Sequence, residues 1–339
     1  MAAVFFIAAS TAYGFGSDGH QAVGAIADVL LQGTKAQQQV RDILGTMHSE
    51  QLTLRQAAVW PDCVRTYGFD VDGELTAPSG KQRQSDACQV FAADKAGRDA
   101  MKDYVRRNNS NCEYAGQHLD CHKSYHFADV AIQRDRYSEQ ETGANNHDVV
   151  HAINAAILVL QGKPAPAPFS IRDKREALFL LAHFVGDIHQ PLHVGAVYLD
   201  TAGHLHDPDK NGADETTATR GGNSLRVNKR GNLHGDWDTT SVMSSDKHFN
   251  TLARRASHME PMSGDVMTWS TTWANDSLAI ARRAFRPVQF APEDMAAHQW
   301  PVEFEDRKAY LKYRQVVQDE QIARAGARLA QVLQQVWPQ

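Results

Sequence analysis

The amino-acid sequence predicts a mainly α-helical protein, a single-domain multi-helix bundle with long loops and few or no strands. Apolar residues recur with a period of 3.6 residues in several segments, whereas strand-like alternation of apolar and polar residues is scarce. The chain has 339 residues, 42% hydrophobic and 22% charged, which is enough to bury a sizeable core. The composition excludes a disordered chain, a collagen and a small disulfide scaffold.

The first fourteen residues carry no charge and read MAAVFFIAASTAYG. The segment is apolar through Ala9 and then contains small residues, with Ala12 and Gly14 spaced like a secretory cleavage site. We interpret residues 1–14 as a signal peptide cleaved before Phe15, which predicts a secreted or periplasmic protein. A disordered tail is the alternative. The usual basic start is absent, which leaves open a true start codon upstream of Met1.

Helical periodicity is clearest in four segments of the remaining chain: 22–30, 149–160, 173–189 and 310–333. The Pro-rich stretch 162–168 is expected to stop one helix and space the next. A polar run rich in Gly and Asp, 202–223, is predicted to form a long surface loop. Segment 66–121 is predicted to be an irregular insertion pinned by disulfides.

Four cysteines in an exported chain predict two disulfides, and their pairing has three possibilities. They are Cys63, Cys88, Cys112 and Cys121. No later segment reaches the roughly 20 apolar residues of a membrane span, so we expect no stable membrane association.

The formal charge is −5, from 35 Lys and Arg against 40 Asp and Glu. This balance is too acidic for a protein that holds nucleic acid by a basic face. Histidine is frequent, at 16 residues, against only four cysteines. This ratio favours histidine and carboxylate chemistry over a zinc-thiolate fold.

The segment LLAHFVGDIHQPLH, residues 180–193, carries the strongest chemical pattern. His183 and Asp187 are four residues apart on a predicted helix, so both point the same way. Pro191 ends that helix and returns His193 toward the same face. The apolar neighbours predict burial, where an unpaired aspartate is costly and a metal ion is one of few adequate partners. A structural His–Asp ion pair is the alternative interpretation.

Four other segments contain possible ligands, and each alone is a loose pattern. They read FGSDGH at 15–20, AAVWPDCVR at 57–65, SYHFAD at 124–129 and NLHGDWD at 232–238. Together and in this order, the five segments resemble the trinuclear-zinc family of S-one/P-one type single-strand nucleases and 3′-nucleotidases. The resemblance runs from Phe15 to Asp238. It implies that residues 15–339 form one catalytic zinc-nuclease domain, with a zinc phospholipase C/nuclease-like fold and three Zn²⁺ per chain.

The resemblance also implies which residues bind each of the three zinc ions. One zinc is expected on Asp62, His126, His183 and Asp187. A second is expected on His20, the bridging Asp187, and the amino nitrogen and carbonyl oxygen of Phe15. The third is expected on His193, His234 and Asp238. The family usually begins with Trp, but backbone ligand atoms should tolerate Phe15, provided that cleavage frees its amine.

The implied activity is cleavage of single-stranded DNA and RNA to 5′-phosphate products, and removal of the 3′-phosphate from nucleotides. A hydroxide bridging two metals is expected to attack phosphorus in line, with Asp62 and Asp187 as catalytic ligands. Arg65 is expected to stabilise the developing charge, and a surface ion pair is its alternative role. Phe127 is expected to stack on a nucleobase and Asp129 to bind the base edge; for Phe127 a core position is the alternative.

A zinc phospholipase C acting on phosphatidylcholine-type lipids is the nearest rival, because its ligand order is similar. Its last ligand is typically Glu, whereas this chain has Asp238. A non-catalytic metal-binding protein is a further alternative. Two other histidines are expected to be exposed, His204 and His206. Four more are expected to be supporting or satisfied polar residues: His122, His147, His151 and His189. The sequence indicates no obligate protein partner.

Overall fold

The computed structural model describes residues 15–69, 75–76, 86–109, 111–114, 116–229 and 231–338. The expected signal peptide lies outside the described residues. Within these ranges the chain is mainly α-helical and its strands are short, which confirms the predicted fold class.

The helices of the described ranges, in chain order, are α1 Gly16–Leu30, α2 Lys35–Leu44, α3 Leu54–Ala57, α4 Trp60–Arg65, α5 Gln89–Ala92, α6 Lys95–Arg107, α7 Cys121–Ser124, α8 Val149–Leu160, α9 Lys174–His189, α10 Pro191–Val194, α11 Pro208–Asn211, α12 Leu233–Asp238, α13 Asp246–Ser257, α14 Trp269–Phe285 and α15 Arg307–Val336. The strands are β1 Thr46–Met47, β2 Glu50–Gln51, β3 Gly68–Phe69, β4 Leu75–Thr76, β5 Asn111–Tyr114, β6 Gln117–Asp120, β7 Val130–Ala131, β8 Gly195–Ala196, β9 Tyr198–Leu199, β10 Leu205–His206, β11 Leu225–Arg226, β12 Val288–Phe290 and β13 Trp300–Phe304.

Helix α9 is the central element of the fold. Asp173 caps its start by accepting the backbone N–H of Glu176 at 2.9 Å. Every residue from Glu176 to His189 is buried, because α1, α8, α14 and α15 surround the helix. A helix that is buried on all sides fits this central position. The C-terminal end of α9 therefore lies inside the protein, where it can hold a site away from bulk water.

Helix α1 is fixed between α3 and α15 by two close approaches that require glycine. A Cβ at Gly24 would lie 2.3 Å from the carbonyl oxygen of Leu54, and a Cβ at Gly326 would lie 2.5 Å from Cγ2 of Ile26. Both distances are shorter than van der Waals contact. The small residues let α1 pack close to its neighbours and alongside α9.

The predicted helical segments 22–30, 149–160, 173–189 and 310–333 are confirmed as parts of α1, α8, α9 and α15. Helices α2, α6, α13 and α14 lie outside the segments that periodicity predicted. Three of them, α2, α6 and α13, bury only three residues each, so their apolar stripes are short. Their starts are marked instead by side-chain caps, from Thr34, Asp94 and Ser245.

The polar run 202–223 is more ordered than a surface loop. It contains β10 and α11, and β10 pairs antiparallel with β9. The guanidinium of Arg134 binds Asp207 and Asp209 beside α11. These ion pairs use the acidic residues that made the run look like a loop in the sequence.

Two disulfides confirm the expectation from the cysteine count, and the structure settles their pairing as Cys63–Cys88 and Cys112–Cys121. The first joins α4 to the 3₁₀ turn Asp86–Cys88, and the second closes the β5–β6 hairpin onto α7. Among the described residues, no helix combines the length and the apolar character that crossing a membrane requires.

One buried carboxylate makes the packing of α1 against α3 sensitive to pH. The carboxylate oxygens of Asp28 accept the backbone N–H groups of Leu54 and Arg55, each at 3.1 Å. Burial raises the pKa of Asp28 from 3.8 to about 6, although these two hydrogen bonds oppose the shift. The folded state therefore holds this proton more tightly than the unfolded chain does.

We expect the stability contributed by protonated Asp28 to be complete below pH 4 and to be lost as the pH rises through about 6. The free energy of unfolding of the wild type, minus that of Asp28→Asn, should fall by up to about 3 kcal/mol across this range. Urea unfolding at a series of pH values measures it. Taking the difference removes contributions from other titrating groups, and a flat difference between pH 4 and 7 would contradict the raised pKa.

Candidate metal centre

The predicted ligands come from five separate segments and converge beside the C-terminal end of α9. His183 and Asp187 lie one turn apart on α9, and both are fully buried. Gln190 interrupts the helix with an extended backbone, and Pro191 begins the short α10, which carries His193. Nδ1 of His193 lies 3.5 Å from Oδ1 of Asp187, so the chain returns to the same face as the sequence predicts.

Backbone carbonyls fix the orientation of three of the imidazoles. Nδ1 of His183 donates to the carbonyl oxygen of Ala58 at 2.7 Å, and Nδ1 of His193 donates to that of His126 at 2.6 Å. Nδ1 of His234 donates to the carbonyl oxygen of Gly221 at 2.8 Å. Because a carbonyl only accepts, the proton lies on Nδ1 and each ring presents the lone pair of Nε2.

The first group of side chains joins α4, α9 and the turn after α7. Nε2 of His183 lies 3.0 Å from Nδ1 of His126 and 3.7 Å from Oδ1 of Asp62. Oδ2 of Asp187 lies 2.9 Å from Nδ1 of His126 and 3.1 Å from Nε2 of His183. Four of the predicted ligands therefore meet in one buried position.

The second group adds the N-terminal part of α1. The ring of His20 stacks on that of His183 with centroids 3.7 Å apart, and its Nε2 lies 3.4 Å from Oδ1 of Asp187. Phe15 is the residue that precedes α1, and its ring is buried in the main core. Its carbonyl oxygen accepts the N–H of Gly19 at 3.2 Å. The apolar ring thus anchors the start of the helix that carries His20.

The third group lies between α10 and α12. Nε2 of His234 lies 3.2 Å from Nε2 of His193 and 3.5 Å from Oδ2 of Asp238. The other carboxylate oxygen of Asp238 accepts the side-chain amide of Gln190 at 2.7 Å. Gln190 is fully buried, and the oxygen of its side-chain amide, Oε1, accepts the backbone N–H of Leu192. It therefore holds Asp238 toward the two histidines.

These groups fit metal ions by geometry and by chemistry. In each of three sets, one ligand atom per residue lies within 4.8 Å of the others: His20, His183 and Asp187; Asp62, His126 and His183; His193, His234 and Asp238. Both ring nitrogens of His20 and both carboxylate oxygens of Asp62 are buried without a hydrogen-bond partner among the described residues. Such atoms cost free energy unless a ligand satisfies them. Imidazole nitrogen and carboxylate oxygen are ligands that suit zinc.

The protonation states also suit metal binding. Burial lowers the pKa of His20 and His193, and it lowers the pKa of His126 and His234 well below the usual value. These imidazoles are neutral at pH 7, which is the state that binds metals.

Asp187 is ionised despite its burial. Burial alone raises its pKa, but its interactions with His183, His193 and His126 outweigh that effect and hold the pKa well below the usual range. The pKa of His183 rises: burial opposes this, but the nearby carboxylates of Asp187 and Asp62 prevail. Burial raises the pKa of Asp238 well above its usual value, and the hydrogen bond from Gln190 only partly offsets this.

The remaining predicted residues lie around this centre. Arg65 ends α4 one turn after Asp62, and its charge acts on the pKa of His126, His193 and His234. Phe127 directly follows His126 and is half-buried. Asp129 is buried with a positive φ of 56°, and its carbonyl oxygen accepts the hydroxyl of Tyr198.

Three of the other histidines are satisfied as expected. His147 bonds Ser124, His151 bonds Asp148 and Glu139, and His189 bonds the Val185 carbonyl oxygen and Arg328. His204 is exposed as expected, whereas His206 is half-buried and bonds the carbonyl oxygen of Gly212.

His122 differs from the expectation, because both of its ring nitrogens are buried without a hydrogen-bond partner within the described ranges. Burial lowers its pKa to about 4, so the ring packs in the neutral form.

Two glycines support the centre: Gly186, and Gly221 of the glycine-rich turn that precedes His234; the sequence patterns predict neither supporting role. A Cβ at Gly186 would lie 2.7 Å from Nδ1 of His20, and a Cβ at Gly221 would lie 3.0 Å from Nδ1 of His234. Gln190 is a third supporting residue. The available signal was their position: Gly186 directly precedes Asp187, and Gln190 lies within the same His- and Asp-containing motif.

The fold and these side chains define a helical protein with a buried histidine and aspartate centre that can hold several metal ions. The family model described as S1/P1 Nuclease matches residues 15–338, and the chain belongs to this nuclease family. The match confirms the resemblance drawn from the five motifs and favours a nuclease over a phospholipase C.

Similar proteins include endonucleases of Arabidopsis thaliana. The chain is 25% identical to Endonuclease 2 over 222 residues, which cover 61% of this chain and 68% of that protein. It is 28% identical to Endonuclease 4 over 172 residues, which cover 48% of this chain and 50% of that protein. The matched segments thus span from half to about two thirds of the length of these relatives.

The replacement Gly186→Ala tests the packing of His20 against α9. The new methyl group would lie 2.7 Å from Nδ1 of His20 and must displace the ring. We expect a metal ion held by His20, tested with zinc, to be bound about tenfold less tightly or worse, measured by titration against a competing chelator. Gly68→Ala is the matched control, because a Cβ there meets nothing within 4 Å. Equal zinc affinity in the two variants would contradict a ligand role for His20.

Proposed function

We propose that this nuclease is zinc-dependent, cleaves single-stranded DNA and RNA to products that end in 5′-phosphate, and removes the 3′-phosphate from nucleotides. The main support is the position of Asp187. Its buried carboxylate lies within 3.5 Å of a ring nitrogen from each of four histidines: His20, His126, His183 and His193. A single carboxylate shared in this way suits a ligand that bridges two metal ions.

The proposed zinc ligands are those expected from the sequence. Zinc one is assigned to Asp62, His126, His183 and Asp187; zinc two to Phe15 through its amino nitrogen and carbonyl oxygen, His20 and Asp187; zinc three to His193, His234 and Asp238. When bound, zinc supplies positive charge and lowers the pKa of a coordinated water to roughly 7. A separate protein general base is then unnecessary.

The chain itself supplies orientation and a second source of positive charge. The carbonyls of Ala58, His126 and Gly221 hold three imidazoles in one tautomer, so little rearrangement is needed when the metals bind. Arg65 lies close enough for its charge to act on three of these histidines. We assign its guanidinium to the phosphoryl oxygens, whose charge grows during the displacement.

Phe127 and Asp129 are assigned to the nucleobase. Phe127 directly follows the proposed ligand His126 and is half-buried, and we assign its ring to stacking on a base. The backbone of Asp129 is fixed by the hydroxyl of Tyr198, and its Oδ1 lies near Gly221 beside His234. A base must leave its duplex partner before it can stack on a ring, so this arrangement favours single strands.

We propose a secreted or periplasmic location. The Cys63–Cys88 disulfide closes a segment that carries Arg65, and the Cys112–Cys121 disulfide lies shortly before His126 in the chain; such bridges form in oxidising compartments. Cleavage before Phe15 would free the amine that the second zinc requires. Three zinc ions add six positive charges beside three carboxylates. The local field is then positive, opposite to the net charge of the chain.

A substrate panel tests the proposed function. The zinc-loaded chain, beginning at Phe15, should degrade single-stranded DNA and RNA and release phosphate from 3′-AMP, while 5′-AMP stays intact. A chelator should abolish all three activities, and added zinc should restore them. Gel electrophoresis and phosphate release measure the result. Turnover of phosphatidylcholine with no nucleotide product would overturn the proposal in favour of a lipase.

The replacement Asp187→Asn tests the bridging role, because it keeps the shape of the side chain but removes its charge. We expect bound zinc to fall from three to one per chain, and activity to fall about a thousandfold or more. Asp135→Asn is the control, since Asp135 has a side chain that is 97% exposed. Atomic absorption gives the zinc content. Three zinc ions retained in Asp187→Asn would refute this ligand assignment.

A further inference from the structure

Helix α15 carries none of the predicted ligands, yet two of its buried amides bond the helices that do. Nε2 of Gln318 donates to the carbonyl oxygens of Trp237 and Thr239, at 2.5 and 3.2 Å. Nε2 of Gln321 donates to the carbonyl oxygen of His189 at 3.1 Å. The two glutamines are three residues apart, so they share one face of α15, and both are buried.

These hydrogen bonds satisfy the C-terminal ends of α9 and α12. The last carbonyls of a helix have no partner within it, and they cost free energy when they are buried without one. His189 is the last residue of α9, and Trp237 is the last but one of α12. The two glutamines therefore donate to backbone oxygens that an apolar side chain of the same size would leave unpaired.

The bonded carbonyls lie next to residues of the third group. Trp237 and Thr239 flank Asp238, and both of their carbonyls bond the same amide nitrogen. A rotation of the main chain at Asp238 would therefore break one of these bonds. His189 precedes Gln190, whose side-chain amide donates to Oδ1 of Asp238 at 2.7 Å. The carboxylate is thus held through α12 and through the end of α9, and α15 bonds both.

Two other side chains of α15 strengthen this link. Nη1 of Arg328 donates to Nε2 of His189 at 2.8 Å. The hydroxyl of Tyr310 accepts the indole N–H of Trp237 at 2.9 Å. The long helix therefore bonds the ends of α9 and α12 at several positions along its length, as a rigid support for both.

We propose that Gln318 and Gln321 are positioning residues for the third group of metal ligands. By fixing the ends of α9 and α12 on one helix, they hold Asp238 toward His193 and His234 before a metal ion arrives. Binding then requires less rearrangement, which raises the affinity for the ion. The inference rests on the third zinc of the proposed function. It adds that a helix outside the five sequence motifs sets the affinity for this ion.

The replacement Gln318→Met removes the donor and keeps nearly the same side-chain length. In the zinc-loaded chain that begins at Phe15, we expect one zinc ion to be bound about tenfold less tightly or worse, measured by titration against a competing chelator. Gln331→Met is the matched control on the same helix, because the amide of Gln331 donates to the carbonyl oxygen of Glu260, which adjoins no predicted ligand. The control should change each zinc affinity less than about threefold.

Gln321→Met is the second variant. It loses one hydrogen bond to a carbonyl where Gln318→Met loses two, and it should weaken binding of the same ion. The Asp238→Ala background separates positioning from a general loosening of the fold. The third zinc is already lost there, so adding Gln318→Met should change the affinity for the remaining ions less than about threefold.

Two results would overturn the proposal. One is equal zinc affinity in Gln318→Met and Gln331→Met, and the other is a loss of affinity that persists in the Asp238→Ala background. Both measurements report zinc binding and not activity. A chain that binds zinc but leaves single strands intact would therefore refute the proposed function without deciding the role of α15, which the zinc titrations decide by themselves.

Discussion

The buried carboxylate of Asp187 is the interaction on which the candidate site depends. A charged aspartate inside a helical core is unstable unless other groups compensate it. Here the compensation comes from imidazoles that arrive from α1, from the turn after α7, from α9 itself and from α10. The carboxylate therefore both requires and organises the convergence of three segments that are far apart in the chain: the start of α1, the turn after α7, and α9 with the adjoining α10.

That convergence depends in turn on backbone packing. Glycines at positions 24 and 326 let α1 approach its neighbours, and Gly186 leaves space for the ring of His20 against α9. The parallel pairing of β7 with β8 joins the segment after His126 to the segment after His193. The core thus fixes main-chain positions first, and the site residues reach the centre with side chains of ordinary length. This order explains why a site built from many segments can still be well defined.

The sequence revealed the parts of this arrangement that depend on periodicity and residue type. Helix α9 and the pairing of His183 with Asp187 follow from spacing, and the order of the five motifs identified the family. The groups that orient the site residues could not be predicted in the same way. The carbonyls of Ala58 and Gly221 orient histidines, but every residue has a carbonyl. The disulfide pairing and the short polar helices α2 and α13 depend on contacts between distant segments.

The charge balance at the candidate metal centre differs from that of the rest of the chain. The negative net charge alone argues against binding of a polyanion. On the described surface, many acidic side chains form local ion pairs, such as those of Asp207 and Asp209 with Arg134. At the centre the balance reverses, because neutral histidines outnumber the carboxylates and Arg65 adds positive charge nearby. Divalent cations bound there would make the field strongly attractive to phosphate while the rest of the surface stays acidic. Attraction confined to the catalytic groups would let the enzyme engage a phosphodiester there without holding the rest of the strand.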